Sequence, residues 1–154
     1  MAVTTLAMAL LFLLVAVDSG RLYLEQRKLQ RIADMAALEA AGRYAVCTGN
    51  GPQATAIARN AATRNGHAPG NPLVASCGYL QTGAQSLRSF TNDNSRSEAI
   101  RVDVSNTVTT SFAAGIYTLA QGGGVPLTTT LHAHAVASKP LPPQAMLSIR
   151  TTLA

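Results

Sequence analysis

Residues 1–17 contain no charge, no glycine and no proline, and only Thr4 and Thr5 interrupt an otherwise apolar row that Asp18 ends. As a helix this run measures about 25 Å, just short of the roughly 30 Å hydrocarbon core of a bilayer. It crosses a membrane marginally and suits burial among other apolar helices equally well. A secretory signal would carry a basic n-region and a small-x-small cleavage site, and neither flanks the run.

A core helix of a soluble domain does not explain the run either, because the helical pattern continues past it. Residues 20–43 contain no proline, and after Gly20 no glycine before Gly42. Leu22, Leu29, Ile32, Ala33, Ala36, Ala37 and Ala40 recur at helical spacing. The opposite face holds Arg21, Glu25, Lys28, Arg31, Asp34, Glu39 and Arg43. Arg21 with Glu25, Glu39 with Arg43 and Arg31 with Asp34 stand at ion-pair spacing, each contributing a few tenths of a kcal/mol. The pattern predicts one helix of about 45 residues, near 65 Å long, with Gly20 as its kink. Its first half sits in lipid or among identical helices, and its alanine-rich second half packs closely on a folded head.

Composition narrows what that head can be. The chain has 154 residues, enough for one compact domain and one extension. Only 12% of residues are charged, and the 5% aromatic content includes no Trp. The core is therefore built from Ala, Val, Leu and Ile, and no ring-lined cofactor pocket is expected. The net charge of +5 is spread from Arg21 to Arg150 without a dense cluster, which argues against a nucleic-acid partner. Cys47 and Cys77 allow one internal pairing, closing a loop of about 30 residues. Their spacing matches no zinc or redox motif, so they form a structural disulfide in an oxidising compartment or remain two buried thiols. Basic residues follow the apolar run, which by the positive-inside rule alone would leave the head in the cytoplasm. The cysteine pair favours the other side, and an exported head is expected, with a basic leader preceding Met1.

Along the head, residues 48–52 form a turn cluster with Pro52 placed for a first helical turn, and residues 53–64 read as an alanine-rich helix ended by Asn65-Gly66. A loop over 67–72 leads to a strand over 73–81 that carries Cys77. Residues 85–90 read as a short strand, 91–97 as a polar loop and 100–105 as a half-buried strand. Residues 112–120 suit one or two helical turns, closed by Gly122, Gly123 and Gly124. A long strand over 125–138 places Leu127, Leu131, Ala133, Ala135 and Ala137 on one face, and Lys139-Pro140 stops it. Residues 144–154 are apolar enough for an edge strand. The fold class is α+β, a long helix laid on an antiparallel sheet of three to five strands.

No pattern of reacting groups emerges. His132 and His134 share a strand face but lack a third metal ligand in the sequence, so no metal site is expected. Asp103, Ser105 and Thr107 resemble the metal loop of von Willebrand factor A domains, yet Arg101 interrupts what that fold needs as a buried leading strand. The three glycines at 122–124 lack the lysine of a phosphate loop, and neither Gly-x-Ser-x-Gly nor a cysteine nucleophile motif occurs. A non-enzymatic protein without cofactor is expected.

Asp18, Gly20, Arg21 and Tyr23, followed by Leu29-Gln30 and by Ala33-Asp34-Met35-Ala36-Ala37-Leu38, resemble the amino-terminal signature of TadE/TadG-like Flp (Tad) pilus assembly proteins. Residues 98–104 and 131–137 are similar, more weakly, to strands of the Tad-type head. A type IV pilin usually carries Glu five residues into its mature helix, where this sequence has Thr5. The resemblance implies a pilin-like structural subunit of a Tad/Flp-type or related type IV filament. Leu6, Leu10, Leu11, Phe12, Leu13, Leu14 and Val15 would form its assembly helix. The alternative is a single-span inner-membrane assembly factor that stays out of the fibre, and a secreted adhesin-like module is a weaker third reading. The expected organisation is a stalk over 1–46, with 1–17 as transmembrane or fibre-core segment, a head over 47–139 and a tail over 140–154. Expected partners are copies of the chain, other pilus components and the membrane through residues 1–17. The expected location is an extracellular filament, or the inner membrane with an extracytoplasmic head.

Overall fold

The computed structural model describes residues 2–83, 88–110 and 128–140, apart from the side chains of Ala7 and Leu11. Helix α1, Ala2–Gly42, is 41 residues long and continues through Gly20 without a break, giving a rod of about 62 Å. It ends a little earlier than the sequence suggests. The Tyr44 amide donates to the Ala41 carbonyl and the Ala45 amide to the Ala40 carbonyl, while Tyr44 sits at φ 53 in the left-handed position usually given to glycine. Those two bonds close the last turn.

An isolated bridge follows: the Val46 amide donates to the Pro52 carbonyl at 2.8 Å, and the Ala54 amide to the Val46 carbonyl at 2.9 Å. This pairing holds Pro52 outside the next helix, so α2 runs Ala54–Arg64 with Gln53 as its cap, and Pro52 is not in the first turn. The Asn65-Gly66 stop is as expected. Gly66 takes φ 89, its amide donates to the Thr63 carbonyl, and the His67 amide reaches the Ala62 carbonyl.

Four strands complete the fold: β1 Leu73–Thr82, β2 Arg88–Asn92, β3 Ala99–Thr109 and β4 Thr128–Ser138. They pair antiparallel throughout in the order β2-β1-β3-β4. β3 runs four residues beyond the expected end, and β2 reaches Asn92 within the segment expected as a loop. Register stacks Cys77, Ile100 and Ala137 in one row and Ala75, Val102 and Ala135 in the next. With Leu73, Val104 and Ala133 these residues make one apolar face. α1 covers that face over β3 and β4, and α2 covers it over β1.

The core is the α+β sandwich of small side chains that composition demands. Leu29, Ile32, Ala33, Ala36, Ala37, Ala40 and Ala41 of α1 meet Ala54, Ala58, Ala61 and Ala62 of α2 and the sheet. Alanine methyls let the two helices and the sheet approach closely, which substitutes contact density for ring area. Cys47 and Cys77 are joined as a disulfide, with Cα atoms 5.8 Å apart. The helical turns expected over 112–120, the glycine turn at 122–124, the inward placement of Leu127 and the edge strand expected over 144–154 lie outside the described residues.

Candidate assembly interface

Among the described residues, the apolar half of α1 is not buried against the head. Leu6, Leu10, Phe12, Leu13 and Val15 are each more than half exposed, and Leu14 is half-buried; the Leu11 side chain lies outside the described residues. Along an 18-residue apolar window of α1, no residue is buried against the other described residues. Burying one such side chain stabilises by about 1.5–3 kcal/mol, so the exposed row is a strong drive toward lipid or other helices. The Thr5 hydroxyl donates to the Ala2 carbonyl at 2.9 Å, which satisfies it within its own turn.

Where α1 meets the head, the signature residues separate by role. Leu29 is buried in the core. The Gln30 side-chain amide donates to the His134 carbonyl at 3.0 Å and to the Asp34 carboxylate at 3.1 Å. One turn earlier the Gln26 amide donates to the His132 carbonyl at 2.8 Å. Two residues four apart on a helix stand about 6 Å apart along its axis, close to the roughly 6.7 Å between alternate residues of a strand. The glutamine pair therefore tracks alternate carbonyls of β4, the edge strand, and occupies groups that would otherwise be open to pairing. Gln26 escaped the sequence reading; two glutamines at helical spacing were its only signal.

Asp18, Gly20, Arg21 and Tyr23 lie on the stretch of α1 between its apolar half and the head. A Cβ at Gly20 would meet nothing within 4 Å. Tyr23 is exposed, with the Arg27 guanidinium 5.7 Å from its ring centroid. The outward face beyond it is not the purely charged face that the pattern suggests: Leu24, Met35 and Leu38 are also exposed there. The expected Glu39–Arg43 pair forms at 2.9 Å, and Glu39 also pairs with Arg64, tying α1 to α2. Asp34 takes Gln30 as its partner in place of Arg31.

The uncovered face of the sheet carries Val74, Arg101, Asp103, His132, His134 and Val136. Asp103 accepts bonds from Arg101 Nε and from its terminal nitrogen at 2.7 Å, and this contact raises the Arg101 pKa further above its ordinary value. The antiparallel pairing of β3 on both sides, with Asp103 engaged by Arg101, is incompatible with a metal loop of the von Willebrand type. No cluster of three metal-ligating side chains occurs among the described residues. His67 opens the loop expected over 67–72 and is buried, because the capping turn after α2 folds it inward. Its Nε2 has no hydrogen-bonding partner among the described residues. It borders a cavity of about 100 Å³ also lined by Glu25, Lys28, Asn71 and Asn106.

These features form a rod with a bare apolar half and a disulfide-tied α+β head. No curated protein and no solved structure matches the chain. A family model described as Flp pilus-assembly TadE/G-like matches residues 1–43, and one described as Tad-like Flp pilus-assembly matches residues 39–137. The two matches meet at the end of α1, where Glu39 bridges to Arg43 and Arg64 and the rod joins its head. By its helix and its head alike, the chain belongs to the Tad-like Flp pilus-assembly family.

Proposed function

We propose that the protein is a pilin-like, non-enzymatic structural subunit of a Tad/Flp-type filament, with the exposed half of α1 packing among copies of itself and the head facing outward. The observation that carries this reading is the continuity of α1: one unbroken helix is bare along its apolar half and packed on the head along the other. Residues 1–46 act as stalk, with 1–17 as fibre core or membrane segment before assembly, residues 47–139 as head and residues 140–154 as tail. Leu6, Leu10, Phe12, Leu13, Leu14 and Val15 then bury against neighbouring helices, where dispersion contacts drive association.

Replacing Leu10 with Asp places a carboxylate at the centre of that contact, a penalty of about 2.5–3.5 kcal/mol per chain in an apolar segment. Cells expressing Leu10→Asp should yield no copies of the protein in fibres sheared from their surface, whereas the unmutated chain is abundant there. Fibres of normal yield containing the variant would overturn the reading.

The apolar window, which spans a bilayer marginally, supports a second reading as a single-span inner-membrane assembly factor with an extracytoplasmic head. Fractionation separates the two. Confinement of the unmutated chain to the membrane fraction supports the assembly factor, and its presence in the sheared fibres supports the subunit.

A further inference from the structure

We propose that Tyr23, Arg27, Lys28 and Arg31 form a landing site for anionic phospholipid headgroups that seats the head on the membrane surface. The proposal rests on residues 2–17 serving as a bilayer segment, at least before assembly. Its first argument is length. A hydrocarbon core of about 30 Å takes up about 20 helical residues, more than the uncharged run supplies, so the mismatch draws the next turn down to the boundary. An upright α1 then places Arg21 at that boundary and Tyr23 in the interfacial layer, where aromatic rings with a polar tip are favoured. Arg27 and Lys28 follow about one and a half turns later. Helical side chains lean toward the N-terminus, and Arg27 shows that reach, its guanidinium lying over the Tyr23 ring.

The second argument is charge. Arg43, Arg64, Arg96 and Arg101 all sit in ion pairs. Arg27, Lys28 and Arg31 are exposed, and no carboxylate pairs with them among the described residues. Of the acids nearby, Asp34 accepts from Gln30, and Glu25 is half-buried at the border of the His67 cavity, which Lys28 also lines without an ion pair between them. The three cations border an open groove of about 590 Å³ together with Leu24, Gln30 and Asp34. Leu24, itself two-thirds exposed, offers the groove an apolar wall. Basic walls with an apolar strip, about two to four turns beyond the bilayer segment, match a phosphate group attached to acyl chains better than they match a free anion.

The test titrates phosphatidylglycerol or phosphatidylcholine into the full chain in neutral detergent and counts retained lipid by native mass spectrometry. The unmutated chain should retain phosphatidylglycerol several-fold better than phosphatidylcholine, with the preference falling as salt rises. R27Q/K28Q/R31Q should abolish that preference and bring the two lipids to about equal retention, since cations near the surface are what draws an anionic headgroup. R59Q, which removes an exposed arginine on α2, should keep it. Glycerol phosphate in excess should not displace the lipid; displacement would make the site a receptor for the free anion and overturn the membrane assignment. Equal retention of both lipids by the unmutated chain, or an unchanged preference in the triple variant, also overturns the proposal. Flotation of the unmutated chain with vesicles of phosphatidylcholine alone tests the bilayer segment separately. Failure to float there overturns the reading of residues 2–17, whereas flotation without lipid preference overturns only the landing site. Circular dichroism of the triple variant, whose changed side chains are all exposed, checks that the fold persists.

Discussion

Two glycines set limits that nothing larger would meet, for different reasons. Gly66 takes φ 89 at the end of α2, where an L side chain is strained, and Gly66→Ala should cost about 1 kcal/mol. Gly78 lies within β1, facing Asn92 of β2 and Ala99 of β3. A Cβ there would collide with the Thr91 carbonyl oxygen and stand 2.9 Å from the Phe90 ring. The backbone of β2 would have to move, an overpacking cost of about 1–3 kcal/mol. Gly78→Ala should therefore lower Tm by roughly 10 °C, and a change within 2 °C, on the order of the scatter for a neutral surface site, would show that β2 gives way freely. Gly66 is legible in the sequence as the second half of an Asn-Gly stop. Gly78 is not, because its constraint comes from residues 90 and 91, which only strand register brings to it.

At the scale of elements, periodicity exposed the helices well and the strands less completely. The core stripe from Leu29 to Ala40 stands in the sequence at helical spacing, and the structure buries all of it. The end of α1 was harder to see, since Tyr44 occupies a left-handed position that a reader expects glycine to mark. β3 outran its expected length because Asn106, Thr107 and Thr109 do not extend the apolar alternation that marks 100–105, while their pairing with β4 keeps them in the sheet. The least visible feature is the seam between α1 and β4, where two glutamine amides meet two strand carbonyls. Gln30→Leu removes one of these contacts and the partner of Asp34 together, leaving the buried stripe intact. It should destabilise by about 1 kcal/mol, and hydrogen exchange should quicken in β4 while the α2 amides stay protected. Uniformly faster exchange across the head would mean that the glutamine supports the whole core and not the edge alone.

For the whole molecule, the question is how firmly the rod and the head are one object. Cys47 follows α1 by five residues, and Cys77 is buried in the inner face of β1, so the disulfide ties the rod's end to the sheet independently of helix packing. Closing a loop of 30 residues stabilises by about 3–4 kcal/mol in the chain-entropy account, a large share of the stability of a small domain. The apolar half of α1 gains nothing from this bond, since none of its apolar window is buried against the described residues of the head. Cys47→Ala/Cys77→Ala should thus lower the melting temperature of the head by about 15 °C or more, and flotation with phosphatidylcholine vesicles at room temperature should be unchanged. The paired measurement separates two architectures. If flotation falls along with head stability, the apolar segment depends on the folded head for its exposure, and the rod and head act as one cooperative unit. If flotation holds while the head melts early, insertion belongs to residues 2–17 alone, and the disulfide stabilises the head without acting on the helix that inserts.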